Sequence, residues 1–222
     1  MYFLRCLGLF FLLMCYSCKK NAEGDSSVAF SFENSKPVVT LVPMFDSTHH
    51  EWKWDISQEL TYAVHHRLTQ KDCLRLIDHG SWQESTKKLH RIKELFTLDA
   101  RSIKKTFPNE EFVILMQLAN HEEVPFALQK DFQLTDVAAN LNIGVRLKIW
   151  DLSHREPKII LHELLHYQGA IPKQFTRYNF TQIPWQEEGF YTTPLGIAHI
   201  EFSQDLSKRI QDTILLAKKN LR

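Results

Sequence analysis

Val38-Val39-Thr40-Leu41-Val42-Pro43-Met44-Phe45-Asp46-Ser47-Thr48, followed from Ile56 to Asp78 by ISQELTYAVHHRLTQKDCLRLID, decides the fold. Within the first part, Pro37 to Phe45 is a short apolar run rich in β-branched residues and bounded by prolines. That is the pattern of a strand buried on both faces, although a run this short also fits a buried helix segment. Asp55 supplies an N-cap oxygen ahead of Ile56, and Gln58, three residues on, completes a capping-box pattern. Ile56, Leu60, Ala63, Val64 and Leu68 then recur at helical spacing, with Ser57, Glu59, His66 and Arg67 on the other face. Leu74 to Asp78 reads as the next strand, closed by the His79-Gly80 turn signal. A strand, a helix and a strand of these lengths favour parallel pairing through a right-handed crossover.

Further along, Ser85 to Phe96 is predicted helical, with Leu89, Ile92, Leu95 and Phe96 on one stripe. A shorter helix from Asp99 to Phe107 follows, stopped by Pro108. Lys87, Lys88, Arg91, Lys93, Arg101, Lys104 and Lys105 make the strongest local cluster of charge. A solvated helical face is its default meaning, and contact with anionic headgroups the minority one. Phe112 to Leu118 reads as a central strand and His121 to Asp136 as a polar loop. Leu141 to Ile149 alternates without a break, the mark of an antiparallel strand with one wet face. The Asp151 to Pro157 segment turns the chain, and Lys158 onward returns as its partner. Pro194 starts a last helix whose buried stripe is predicted as Leu195, Ile197, Ile200, Phe202, Leu206, Ile210, Ile214 and Leu215. The fold class is therefore α+β: a mixed sheet with a β-α-β opening unit, helices mainly on one face, and a long C-terminal helix.

The opening unit, "EEFVILMQLAN" and "VRLKIWDLSHREPKIILHE" together resemble the envelope lipoproteins of curli secretion and the lipoprotein activators of penicillin-binding proteins. The likeness covers roughly Pro37 to Glu163. It implies an anticodon-binding-domain-like fold and an accessory, non-catalytic task, and its motifs speak to fold far more than to task.

The N-terminus agrees with such a setting. Leu7 to Met14 form an apolar run too short to span a bilayer, and polar residues begin directly after Cys18. Ser17 precedes Cys18 as the small residue does in a bacterial lipoprotein signal. Cys15 and Tyr16 depart from the usual aliphatic and small residues, which leaves a plain secretory signal or an uncleaved anchor as alternatives. The expected organisation is a signal peptide over 1–17, a lipidated Cys18 with a polar tether over 18–36, and one globular domain over 37–222. Cys73 would then be the sole thiol outside the signal and the anchor, expected as a small buried hydrophobe. By analogy with well-known bacterial lipoproteins, Lys19 rather than Asp after Cys18 implies sorting to the periplasmic face of the outer membrane.

His162-Glu163-Leu164-Leu165-His166 matches the HExxH motif of zinc peptidases. On a helix, histidines at i and i+4 share a face and reach one zinc, with Glu163 as the base that activates water. Glu188, in Trp185-Gln186-Glu187-Glu188-Gly189-Phe190, is the candidate third ligand. In a strand the two histidines stand ~13 Å apart, from a rise of ~3.3 Å per residue, and cannot chelate one zinc. The alternating strand and turn that precede the motif favour the strand, with Ile159 and Leu161 facing the core.

The chain has 11 histidines, and the adjacent pairs His49-His50 and His65-His66 point to surface positions. A formal net charge of +1 gives no reason to expect nucleic acid. No Gly-rich phosphate loop is present and no cofactor is implied. The expectation is a non-enzymatic accessory or docking lipoprotein, held to the membrane by its N-terminal lipid and paired with an envelope protein, its oligomeric state open. A zinc metallopeptidase using His162, Glu163, His166 and Glu188 is the alternative.

Overall fold

In a computed structural model of the protein, Pro43 divides the opening strand in two. Strand β1 spans Val38–Leu41 and β2 spans Phe45–Asp46, in place of one strand from Pro37 to Phe45. Proline has no N–H to give to a ladder, so pairing lapses around it and resumes two residues later. The structure describes residues 36–48, 54–77, 96–125, 136–175, 183 and 185–220. These belong to one compact unit, Lys36–Arg222. The expected signal peptide, the expected lipidation site Cys18, the expected tether save Lys36 itself, His49-His50, and the expected helix before Phe96 with most of the basic cluster lie outside the described residues.

Helix α1, Ile56–Gln70, starts where Asp55 accepts the backbone N–H of Gln58 at 3.0 Å. Strand β3 is only Arg75–Leu76, and it pairs in parallel with β1, Val38 opposite Arg75. The β-α-β opening is therefore as the pattern predicts. Helix α2, Ala100–Thr106, is capped by Asp99, whose carboxylate accepts from Ser102 N at 2.7 Å. That backbone hydrogen bond holds the Asp99 carboxyl below its usual pKa.

Strand β4 runs Phe112–Pro125, β5 Val137–Asp151 and β6 Lys158–Pro172. The sheet has six strands in the order β3-β1-β4-β5-β6, with β2 also on β4. It is mixed: β1 and β2 are parallel to β4, while β4, β5 and β6 form an antiparallel meander. The segment from His121 to Pro125, expected as loop, instead prolongs β4. Its polar side chains hide the strand pattern, and a bulge between Leu118 and Asn120 changes which parity faces inward. His121 consequently lies fully buried.

Helix α3, Pro194–Lys219, starts at Thr193, whose hydroxyl accepts from Gly196 N at 3.0 Å. Its first turn sits hard against the 3₁₀ turn Glu188–Thr192. A Cβ on Gly196 would lie 2.1 Å from the Phe190 carbonyl oxygen, so only glycine permits this approach. The buried stripe differs from the predicted one: Ile197 is 45% exposed, while His199, Ser203 and Ser207 are buried. At the far end of α3, Lys218 grips Glu111 with both carboxylate oxygens within 2.9 Å.

The principal core lies between the sheet and the layer of α1 and α3. It gathers Val39, Leu41, Ile114, Met116, Val145 and Leu147 from strands, Leu60, Val64 and Leu68 from α1, and Phe202, Leu206 and Ile210 from α3. A smaller cluster under α2, built on Val42, Ile103, Val113, Leu115 and Trp150, covers one end of the opposite face. There Lys148 is buried, donating to Phe96 O at 2.8 Å with its ammonium 5.0 Å from the Trp150 ring. Burial lowers its pKa. Cys73 is half-buried and packs on the edge of the principal core. Among the described residues no helix is long and apolar enough to cross a membrane.

Candidate functional site

The HExxH segment lies within β6, an antiparallel strand, and not on a helix. In β6 odd-numbered residues from Leu161 to Ile171 turn toward the helical layer, and His162 and His166 stand exposed on the other face. Register pairs them with Lys148 and Gly144 of β5. Four residues of strand hold them ~13 Å apart, out of reach of a common tetrahedral ion. Glu163 faces α3, where Arg209 holds both its oxygens, at 2.7 and 2.9 Å. Glu188 is exposed in the 3₁₀ turn before α3. Among the described residues no group of three or more His, Cys, Asp or Glu side chains is placed to hold a metal ion.

One part of the expected pattern on β6 needs correction. Leu161 packs on the core, but Ile159 is 44% exposed and Ile160 takes its place inside. The register shifts between Ile149 and Trp150, and an inserted residue reverses the facing of everything on its far side.

The chemistry the fold does assemble is on the helical side. Glu59, expected on the outer face of α1, is 4% exposed because α3 packs beside α1 and closes that flank. Its Oε1 accepts from His199 Nδ1 at 2.6 Å, and its Oε2 accepts from Trp54 Nε1 at 2.9 Å. His199 Nε2 in turn lies 2.8 Å from His121 Nε2. With its single proton on Nδ1, a neutral His199 accepts at Nε2 from His121. The chain Trp54–Glu59–His199–His121 thus ties α1, α3 and β4 together through groups that burial would otherwise penalise. Both histidines are buried, unlike the surface positions expected for the adjacent histidine pairs. His199 carried a signal, since it falls in step with Leu195, Phe202 and Leu206. His121 carried none, because the bulge inverts the parity of its strand.

Above this network, α1 and α3 leave a groove of about 450 Å³. Glu59 and His199 form part of one end, and Arg67 with Gln70 the other, two turns further along α1. Aromatic side chains stand between them: Tyr62 stacks on His66 with centroids 6.2 Å apart and meets Trp185 at 5.7 Å. Tyr191 also lines the groove, and burial, then the nearby Glu59 charge, raise its pKa. Arg67, expected to be solvated, is half-buried instead. It donates to Ser203 Oγ at 3.1 Å and to Ile200 O at 3.4 Å. Burial lowers its pKa. The Ser203 hydroxyl itself donates to Ile200 O at 2.9 Å, so no imidazole activates it as a nucleophile.

Sheet, helical layer and groove define an α+β domain built on a mixed sheet. The chain belongs to a family of unknown function, DUF7499, whose model matches residues 31–218. Among solved structures it is similar to the hypothetical protein CT253 from Chlamydia trachomatis. The TM-score there is 0.61 at 19% identity, over 81% of this chain and 98% of that one. It is also similar to protein XCC0632 from Xanthomonas campestris, with a TM-score of 0.49 at 6% identity over 84% and 92% of the two chains. Lipoprotein GNA1162 from Neisseria meningitidis gives a TM-score of 0.42 at 8% identity over 66% and 91%. No curated protein matches the chain in sequence. At these identities the likeness is one of fold.

Proposed function

We propose that the protein is a lipid-anchored accessory protein of the bacterial envelope, non-catalytic, that docks onto or helps assemble another envelope component. The observation that carries this reading is the order of parts along the chain. An apolar run over Leu7 to Met14 is followed closely by Ser17-Cys18, a polar stretch comes next, and a compact unit begins at Lys36. The resemblance to lipoproteins of curli secretion and of penicillin-binding-protein activation supports the same task. The strand position of His162 and His166 supports a non-catalytic reading over the zinc-peptidase alternative. Lys19 after the anchor supports the periplasmic face of the outer membrane as the site of action.

The test is metabolic labelling with a fatty acid in cells making the natural chain or Cys18→Ala. The natural chain should take up label and fractionate with membranes, because several acyl chains give the stable attachment that a single one does not. Cys18→Ala should remain an unlabelled precursor. Equal labelling of the two would overturn the anchor, and crosslinking in intact envelopes that recovers no protein partner would overturn the docking role.

A further inference from the structure

The groove between α1 and α3 goes beyond the anchoring and docking role, because its two ends differ chemically. At one end the Glu59 carboxylate is satisfied by His199 and Trp54. At the other, the Arg67 guanidinium makes both of its hydrogen bonds to uncharged oxygens, Ser203 Oγ and Ile200 O. A guanidinium offers five N–H donors in a planar fork suited to two-point capture of an oxyanion, so these bonds leave donors in hand. Burial lowers the pKa of Arg67, and among the described residues no carboxylate is hydrogen-bonded to it, the condition of a cation desolvated before its counter-ion arrives. Glu59 and Arg67 are eight residues apart on α1, ~12 Å at 1.5 Å per residue, so the acid does not neutralise the base.

The wall next to that cation is aromatic. Tyr62 is 53% exposed although it contacts both His66 and Trp185, and Tyr191 is 45% exposed. Rings left this open beside a half-buried cation present faces for an apolar or aromatic body to cover. The volume of about 450 Å³ falls within the ~300–1,000 Å³ of small-ligand sites.

We propose that this groove binds a carboxylate carried on an aromatic or apolar body, with Arg67 pairing the carboxylate and Tyr62, Trp185 and Tyr191 covering the body. Such a group is presented either by a free small acid or by the C-terminal residue of a peptide.

The full chain in non-ionic detergent is titrated calorimetrically with N-acetylphenylalanine, with N-acetyl-Gly-Gly-Phe, and with the C-terminal amide of each. Both acids should bind at least tenfold more tightly than their amides, because the amide removes the charge and keeps the ring. Arg67→Gln should erase that preference, and Tyr62→Ala should weaken both acids while preserving the preference for acid over amide. Far-UV circular dichroism verifies that each variant is folded, and Tyr62→Ala keeps the test open should Arg67→Gln fail to fold. A tripeptide acid at least tenfold tighter than the amino acid assigns the site to peptide C-termini, and equal affinities assign it to small acids. Equal binding of acid and amide, or no binding of either acid, overturns the proposal.

Discussion

His199 Nδ1 lies 2.6 Å from Glu59 Oε1, with both side chains at 5% exposure or less. The pair joins the first and last helices across 140 residues of sequence. Removing the carboxylate takes this acceptor from the buried His199 Nδ1–H and from the half-buried Trp54 Nε1–H. The first loss should cost about 1–3 kcal/mol, since a stranded buried donor loses its water as well as its partner. Glu59→Ala should therefore destabilise strongly and Glu59→Gln, which keeps an acceptor oxygen, by less. Gln58→Ala, at the exposed neighbouring position, should stay within about ±0.5 kcal/mol. Urea unfolding of the three variants checks the ranking, and equal midpoints for Glu59→Ala and Gln58→Ala would remove the network from the account of stability.

Why Glu59 was misplaced by its sequence shows what periodicity can carry. A stripe at helical spacing reports the face a helix turns to one neighbour, and here Leu60, Val64 and Leu68 reported the sheet correctly. Glu59 faces a second neighbour, α3, whose position beside α1 is a fact of tertiary packing and leaves no periodic trace. Bulges were illegible for a related reason. Ile159 and His121 each lie beyond an inserted residue, and alternation assigns every residue past such a point to the wrong face. Local chemistry was legible: Asp55, Asp99 and Pro194 mark helix starts because capping depends on the immediate sequence. The groove was not, since its lining comes from α1, α3 and the segment before α3, and no short motif spans them.

Leu60 is fully buried on the sheet-facing side of α1. Leu60→Ala deletes apolar contacts and leaves a cavity that the helix and sheet cannot fully close. The expected cost is about 2–5 kcal/mol, measured by denaturant unfolding. A cost below about 1 kcal/mol would mean that α1 can slide to fill the space, and that its register against the sheet is not fixed by this residue.

Zinc offers a separate test of the strand at 158–172. His162 and His166 are exposed on one face while Glu163 is held by Arg209 on the other. Protein dialysed against zinc should retain less than one equivalent by elemental analysis and should hydrolyse no peptide. His166→Ala should keep the fold, with a stability change within about ±0.5 kcal/mol. Glu163→Gln should cost no more than about 1 kcal/mol, because its Arg209 partner is largely solvated. Stoichiometric zinc that is lost in His162, His166 and Glu188 variants alike would require the strand to be redrawn as a helix.

Tyr167 gives the last prediction, in alkaline solution. Its hydroxyl donates to Glu201 Oε2 at 2.6 Å, joining β6 to α3. Burial first, then the hydrogen bond and charge of Glu201, then Asp205, raise its pKa above the ordinary phenol value. The folded protein therefore keeps this proton at a pH where the unfolded chain, with an ordinary pKa of about 10, releases it. In that window the unfolded state binds fewer protons, so stability falls as pH rises. The contribution is complete below about pH 10 and is lost as pH climbs toward the raised native value. Tyr167→Phe should cost about 1 kcal/mol at pH 8 through the lost hydrogen bond. It should also lack this alkaline loss, so the gap between natural chain and variant should narrow above about pH 10. Urea unfolding from pH 8 to 11 measures the gap directly. A gap that stays constant over that range would show that Tyr167 titrates alike in both states, and that Glu201 does not hold its proton.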